Sequence, residues 1–162
     1  DPDWVYGILR QESAFVSDAR SGAGALGLMQ LMPQTGRLTG RRINLRLPNN
    51  HAILNIENNV KLGTSYLRTV LDINNGHQAL ATASYNAGPN RVREWLPERR
   101  ALDADVWVDT VPYNETRNYV KNVMAFTTVY AYRLETVLRR LAERMPAVPS
   151  TANGEAELPA VH

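Results

Sequence analysis

The chain has 162 residues, 44% hydrophobic and 21% charged, with a formal net charge of +2. That suffices for one domain with a sizeable core, and the scattered pairs Arg41–Arg42, Arg99–Arg100 and Arg139–Arg140 lack the dense basic stripe of a nucleic-acid binder. Cysteine is absent, which excludes disulfides, thiolate nucleophiles and cysteine-based zinc sites, and no apolar run approaches the roughly 20 residues that span a bilayer.

The apolar pattern is predominantly helical. Asp1 suits an N-cap, Pro2 a first turn and Asp3 the positive end of a helix dipole; Val5, Ile8 and Leu9 then continue as an apolar stripe. With no initiator methionine or signal sequence ahead of this helix, the chain is expected to be part of a longer protein. In residues 16–27, Gly22, Gly24 and Gly27 disfavour helix, so an irregular insertion or a small β-hairpin is expected. Pro33 opens a short helix ending near Gly36 to Gly40, and residues 43–54 read as loop.

Asn55 is placed to cap a long helix with Ile56, Val60, Gly63, Leu67 and Leu71 on one face, stopped by Asn75–Gly76. A helix over about 77–85 turns Ala79, Leu80 and Ala83 inward and is broken by Gly88–Pro89. Short helices follow, one carrying Val92, Trp95 and Leu96, another over 105–109. The last helix starts after Pro112, with Asn114 as cap and Glu115 in its first turn, and its spacing through Leu134 carries it toward Arg144. From Pro146 the composition turns to Pro, Ala, Ser and Glu. Residues 1–145 therefore read as the domain, and 146–162 as a disordered tail. The expected fold class is mainly α, without the strand–helix alternation of a Rossmann-type sheet.

Glu12 breaks this pattern. It occupies the next position on the stripe of Val5, Ile8 and Leu9, and it lies near the helix C-terminus. A charge on a core-facing stripe is costly, and the dipole there disfavours an anion; both effects raise a carboxyl pKa. A raised pKa is what a general acid at neutral pH needs. On periodicity alone a plainer reading leads slightly: a surface glutamate at a fraying helix end, or one paired with Arg10 or Arg20. Other chemistries find little support. His51, His77 and His162 have no metal-ligand spacing, no G-x-S-x-G elbow is present, and no Lys-Ser or Lys-Thr follows the glycines to make a phosphate cradle.

The residues after Glu12 reverse that balance. Glu12-Ser13-Ala14-Phe15, then Ser21, then Gly24-Ala25-Leu26-Gly27-Leu28-Met29-Gln30-Leu31-Met32-Pro33 reproduce E-S-x-F/W, a serine nine residues past the glutamate, and G-A-x-G-L-M-Q-I/L-M-P. The segment from Asn55 to Leu67 resembles N-I-x-x-G-x-x-Y-L, and Ala83-Ser84-Tyr85-Asn86-Ala87-Gly88-Pro89 resembles A-Y-N-A-G-P. Val111-Pro112-Tyr113-Asn114-Glu115-Thr116-Arg117-Asn118-Tyr119-Val120-Lys121-Asn122 resembles I-P-x-x-E-T-R-x-Y-V-K-N. In these motifs the chain resembles the catalytic domain of soluble lytic transglycosylases.

The resemblance implies an α+β lysozyme-like fold acting on the β-1,4 bond between N-acetylmuramic acid and N-acetylglucosamine. It implies that Glu12 protonates the glycosidic oxygen, that the 2-acetamido carbonyl assists at the anomeric carbon, and that Glu12 then takes the C6 hydroxyl proton as a 1,6-anhydro ring closes. No second carboxylate is required, which matches the substrate-assisted exceptions among glycosidases; Asp18, the nearest other acid, reads as a loop residue. Ser21, Gln30, Met32, Tyr85 and Glu115 match groove positions expected to bind substrate; Asn86, adjacent to Tyr85, and Tyr119, one turn after Glu115 on the same helix face, are expected to share the groove. Plainer roles compete: core packing for Met32, a helix-end cap for Asn86, a dipole partner for Glu115.

The implied partners are peptidoglycan strands and their stem peptides, with no cofactor, no metal and no nucleic acid. A monomer in the periplasm or cell envelope is expected. A lysozyme-type hydrolase on the same fold and a peptidoglycan-binding module without turnover are the competing readings.

Overall fold

A computed structural model describes residues 1–152 as a helical domain. Helix α1 spans Pro2–Ser13, α2 Pro33–Arg42, α3 Ile56–Ile73, α4 Gln78–Ala87, α5 Pro89–Glu94, α6 Ala104–Thr110, α7 Asn114–Arg133 and α8 Leu141–Arg144, with a 3-10 turn at Asn50–Leu54. Among the described residues no strand forms. The Gly-rich insertion is irregular and holds two single antiparallel bridges, Arg20 with Leu26 and Leu26 with Leu31. No helix among the described residues is long and apolar enough to cross a membrane.

Capping chemistry sets both ends of α3 and the start of α4. The Asn55 side chain accepts a hydrogen bond from the Asn58 N–H at 3.0 Å and so opens α3. At its end Asn75 adopts φ 52°, and the Gly76 N–H reaches back to the Leu71 carbonyl at 2.9 Å. His77 caps α4: its Nδ1 accepts from the Leu80 N–H at 3.4 Å while its Nε2 lies 3.0 Å from the Pro146 carbonyl. A neutral imidazole meets both demands, and burial lowers the pKa of His77 accordingly.

The sequence pattern and the structure part in several places. Helix α7 stops at Arg133 rather than continuing toward Arg144. Glu135 turns left-handed at φ 51°, and the Glu135 and Thr136 N–H groups bond back to the Tyr132 and Ala131 carbonyls. This double bond pattern closes a helix end whatever the apolar spacing beyond it. Asn114 is the first residue of α7, and Tyr113 is its cap without a side-chain bond. Along α3 the buried face is Asn59, Leu62, Gly63, Leu67 and Val70, with Ile56 exposed, so the helix is rotated from the expected stripe. On α1 Trp4, Gly7, Ile8 and Leu9 are buried and Val5 only partly.

Residues 146–152 are packed. Val148 pairs with Leu102 and is fully buried, and the Thr151 N–H donates to the Pro97 carbonyl at 2.9 Å. The remainder of the expected tail, residues 153–162, lies outside the described residues.

The core has two lobes. One gathers Trp4, Ile8, Met29, Leu62, Leu67, Tyr85, Tyr119 and Val123 from α1, the insertion, α3, α4 and α7. The other gathers Leu80, Val92, Trp107, Val120, Met124 and Val148. Helices α4 and α7 contribute to both, and α1 lies along α7. That contact is close because Gly7 has no side chain. A Cβ there would meet the Thr127 Oγ1 at 2.7 Å and the Val123 carbonyl oxygen at 3.0 Å.

Candidate active site

The last turn of α1 delivers Glu12 into a cavity of about 560 Å³, whose lining includes Arg10, Glu12, Arg20, Ser21, Gln30 and Phe126. Across from it, α7 supplies Tyr119, whose hydroxyl donates to the Glu12 Oε1 at 2.6 Å. Residues 12 and 119 meet because α1 and α7 run side by side. Among the described residues no cation forms an ion pair with Glu12; the plainer reading through Arg10 or Arg20 does not describe it.

The electrostatics follow from this packing. Burial raises the Glu12 pKa from 4.5 to about 7; the Tyr119 hydrogen bond opposes the rise, and the charge of Glu115 adds to it. Tyr119 is itself held well above its ordinary value, by burial first and by Glu12 next, so it remains a phenol donor at neutral pH. A carboxyl poised near pH 7 has both forms accessible, and can donate a proton and recover one.

The Gly-rich insertion forms the opposite wall. The Ser21 Oγ accepts from the Ala25 N–H at 3.0 Å. Gln30 sits at φ 44°, and its side-chain nitrogen donates to the Ala19 and Gly27 carbonyls at 3.1 and 2.8 Å. That use of both amide hydrogens stitches the loop to itself. Beneath it Asn59, fully buried, accepts from the Met29 N–H at 2.8 Å and donates to the Leu26 and Ile53 carbonyls, each at 2.9 Å. Gly27 passes so near that an added Cβ would lie 2.4 Å from the Asn59 Nδ2. Asn59 thus pins the insertion to α3. It was not among the residues expected from the sequence, although a buried polar residue on an apolar helix face is the available signal.

Tyr85 lies below the cavity with its hydroxyl donated to the Met29 carbonyl at 3.0 Å. It does not bond Glu12; Tyr119 holds that position. Its ring packs on Tyr66 at 5.3 Å between centroids, a second residue that sequence reasoning missed. Burial, followed by Glu12 and Tyr66, pushes the Tyr85 pKa well up.

Asn86 and Glu115 line a separate cavity of about 480 Å³ with Arg91 and Tyr113. There the Asn86 Nδ2 donates to the Glu115 Oε1 at 3.2 Å, and the Thr116 hydroxyl donates to the Asn86 Oδ1 at 2.7 Å. Met32, 44% exposed, precedes α2 outside the lining of either cavity. The structure therefore sets Glu12, Ser21 and Gln30 around one cavity with Tyr119 bonded to Glu12, and places Glu115, bonded by Asn86, one helical turn from Tyr119 along α7. A further cavity of about 420 Å³ between α6 and α8 holds none of the candidate residues. Chemistry, not volume, selects the Glu12 cavity.

Residues 1–108 match the family model described as the transglycosylase SLT domain, and residues 110–138 match the soluble lytic transglycosylase helical domain. The chain is 40% identical over 131 residues to the soluble lytic murein transglycosylase of Escherichia coli K12, covering 80% of this chain and 20% of that protein. In structure it is similar to an inactive mutant of the lytic transglycosylase Slt from Pseudomonas aeruginosa, with a TM-score of 0.81 and 45% identity over 85% of this chain and 23% of that one. It is also similar to the 70 kDa soluble lytic transglycosylase of Escherichia coli, with a TM-score of 0.83 and 36% identity over 91% of this chain and 24% of that one. The chain thus spans about a fifth of the length of the curated relatives named as soluble lytic murein transglycosylases.

Proposed function

The chain belongs to the transglycosylase SLT family, and from that premise we propose that it is a peptidoglycan lytic transglycosylase with Glu12 as its acid–base residue. The observation that carries this reading is the carboxyl itself: half-buried at the end of α1, facing a cavity, bonded to Tyr119 at 2.6 Å, with its pKa pushed up to about 7 by desolvation. The substrate is the β-1,4 bond between N-acetylmuramic acid and N-acetylglucosamine, and the place of action is the periplasm or cell envelope.

In the first step the Glu12 proton passes to the glycosidic oxygen as the bond from that oxygen to the anomeric carbon breaks. The carbonyl oxygen of the muramoyl 2-acetamido group bonds to the anomeric carbon and spreads the positive charge. In the second step the C6 hydroxyl oxygen of the same sugar displaces it, and the hydroxyl proton returns to Glu12. The sugar leaves as a 1,6-anhydro product, the enzyme regains its starting protonation, and no water is consumed. Glu115, held by Asn86 beside the site, raises the Glu12 pKa without taking a nucleophile's role. Ser21, Gln30, Asn86 and Glu115 contribute polar groups toward the sugars. Tyr119 orients the carboxyl.

Digestion of purified peptidoglycan with product analysis by mass tests the reading. Products one water lighter than reducing-end sugars are expected, and Glu12→Gln lowers turnover at least about a hundredfold, the usual cost of losing a general acid, with glycan binding retained. Reducing ends alone would instead mark a hydrolase. Binding without any cleavage by the parent chain would mark a glycan-binding module.

A further inference from the structure

The Glu12 cavity carries more positive charge than its proposed chemistry uses. Arg10 and Arg20 are the two cations in its lining, and both are exposed. Among the described residues neither forms an ion pair with an aspartate or glutamate. The Arg10 guanidinium lies over the ring of Phe126, 5.3 Å from its centroid, which holds the head group at the cavity wall. Stacking of that kind fixes the plane of the fork and leaves its edge N–H groups for an anion. Arg20 rises from the insertion wall. Its backbone is bridged to Leu26, and the neighbouring Ala19 carbonyl is held by Gln30.

Glu12 does not consume this charge. Burial, Tyr119 and Glu115 set its acidity, and none of these is a cation. A cavity with two unpaired guanidinium groups and a carboxyl that is largely protonated below neutrality is electropositive. N-acetylated sugars are neutral and give two cations nothing to neutralise. The acidic groups of peptidoglycan are carboxylates: those of the stem peptide, or that of the lactyl ether where no peptide is attached.

We propose that Arg10 and Arg20 form a carboxylate-binding subsite on the wall of the Glu12 cavity, which takes the acidic group that a peptidoglycan strand carries beside its sugars. This rests on the peptidoglycan reading above. The planar forks suit a carboxylate in the two-bonded geometry, with charge on both partners.

The test is equilibrium binding of three soluble fragments: a peptide-bearing glycan, the same glycan with its carboxylates capped as amides, and a peptide-free glycan whose acid is the lactyl carboxylate. The whole chain carrying Glu12→Gln serves as the parent, alone and with Arg10→Gln, Arg20→Gln, both, or Arg20→Lys. Each single glutamine variant is expected to weaken the acidic fragments about five- to tenfold, in line with losing a charge-assisted contact. The capped fragment should bind all variants within about twofold, and Arg20→Lys, which keeps the charge and loses the fork, should bind the acidic fragments between the parent and Arg20→Gln. A loss confined to the peptide-bearing fragment assigns the stem peptide, a loss confined to the peptide-free fragment assigns the lactyl carboxylate, which the peptide otherwise consumes as an amide, and a loss shared by both assigns a subsite that accepts either carboxylate. Parent binding that is equal for acidic and capped fragments, or arginine variants as tight as the parent, would overturn the subsite. Turnover by the chain with Glu12 intact separates the two readings. Uncut glycan with arginine-dependent binding removes the reaction and keeps the subsite; cut glycan with arginine-independent binding does the reverse.

Discussion

Tyr119 couples the proposed acid to the rest of the domain. Its hydroxyl stabilises the ionised form of Glu12, so it lowers a pKa that burial raises. Tyr119→Phe removes that opposition and leaves the burial. The Glu12 pKa then rises above about 7, and the alkaline limb of kcat/KM, where the acid loses its proton, moves to higher pH. The carboxyl also loses its orientation, and kcat is expected to fall about tenfold, the scale of one hydrogen bond. A pH–rate profile checks both, and an alkaline limb that stays in place would remove Tyr119 from the tuning of Glu12. At this scale Glu12 was legible as an anion on an apolar stripe. Its partner was legible only as a neighbour of Glu115 on a helix face, because the contact spans 107 positions and depends on how α1 lies against α7. Tyr85 illustrates the same limit: its motif placed it at the site, but only the fold gives its hydroxyl to the Met29 carbonyl.

Between elements, the distance from α1 to α7 governs the site. Gly7 sets that distance, since a Cβ would press on the Val123 carbonyl and the Thr127 backbone N–H at 3.0 and 3.2 Å, where no side-chain rotation relieves it. Gly7→Ala is therefore expected to push the helices apart and destabilise the domain by about 1–3 kcal/mol, although alanine favours helix. Because Glu12 and Tyr119 lie farther along the same two helices, their 2.6 Å bond should lengthen and the alkaline limb should shift as in Tyr119→Phe. Thermal unfolding together with the pH profile checks this. A stabilised variant with an unmoved limb would show that the contact has slack. The caps made α3 and the α3–α4 turn readable, as Asn55 and Asn75–Gly76 act locally. The rotation of α3 was not readable. Its buried face centres on Asn59, a polar residue whose burial makes sense only once the carbonyls of Leu26 and Ile53 and the Met29 N–H are seen to converge on it.

For the molecule as a whole, α4 and α7 bind two core lobes into one body, and the segment through Val148 closes the second of them. Composition alone pointed residues 146–152 toward disorder because proline, alanine and serine supply little apolar surface. One buried valine paired to Leu102 and the buried ion pair of Arg144 with Asp3 are long-range features that no local window contains. Glu12 places a cost on this body. Unfolded, its carboxyl ionises near 4.5; folded, it does so near 7. Between those values the folded state keeps a proton that the unfolded state releases, so stability falls as pH rises through the window and levels off above it. Glu12→Gln keeps an oxygen for the Tyr119 hydroxyl and removes the charge. The variant should match the parent chain near pH 4 and exceed its stability by about 3 kcal/mol near pH 8. Denaturant unfolding at both pH values measures the difference, and the comparison cancels other titrating groups such as His77. A constant gap across the range would mean that the carboxyl is not desolvated. The predicted divergence would tie the poised acid directly to lost stability.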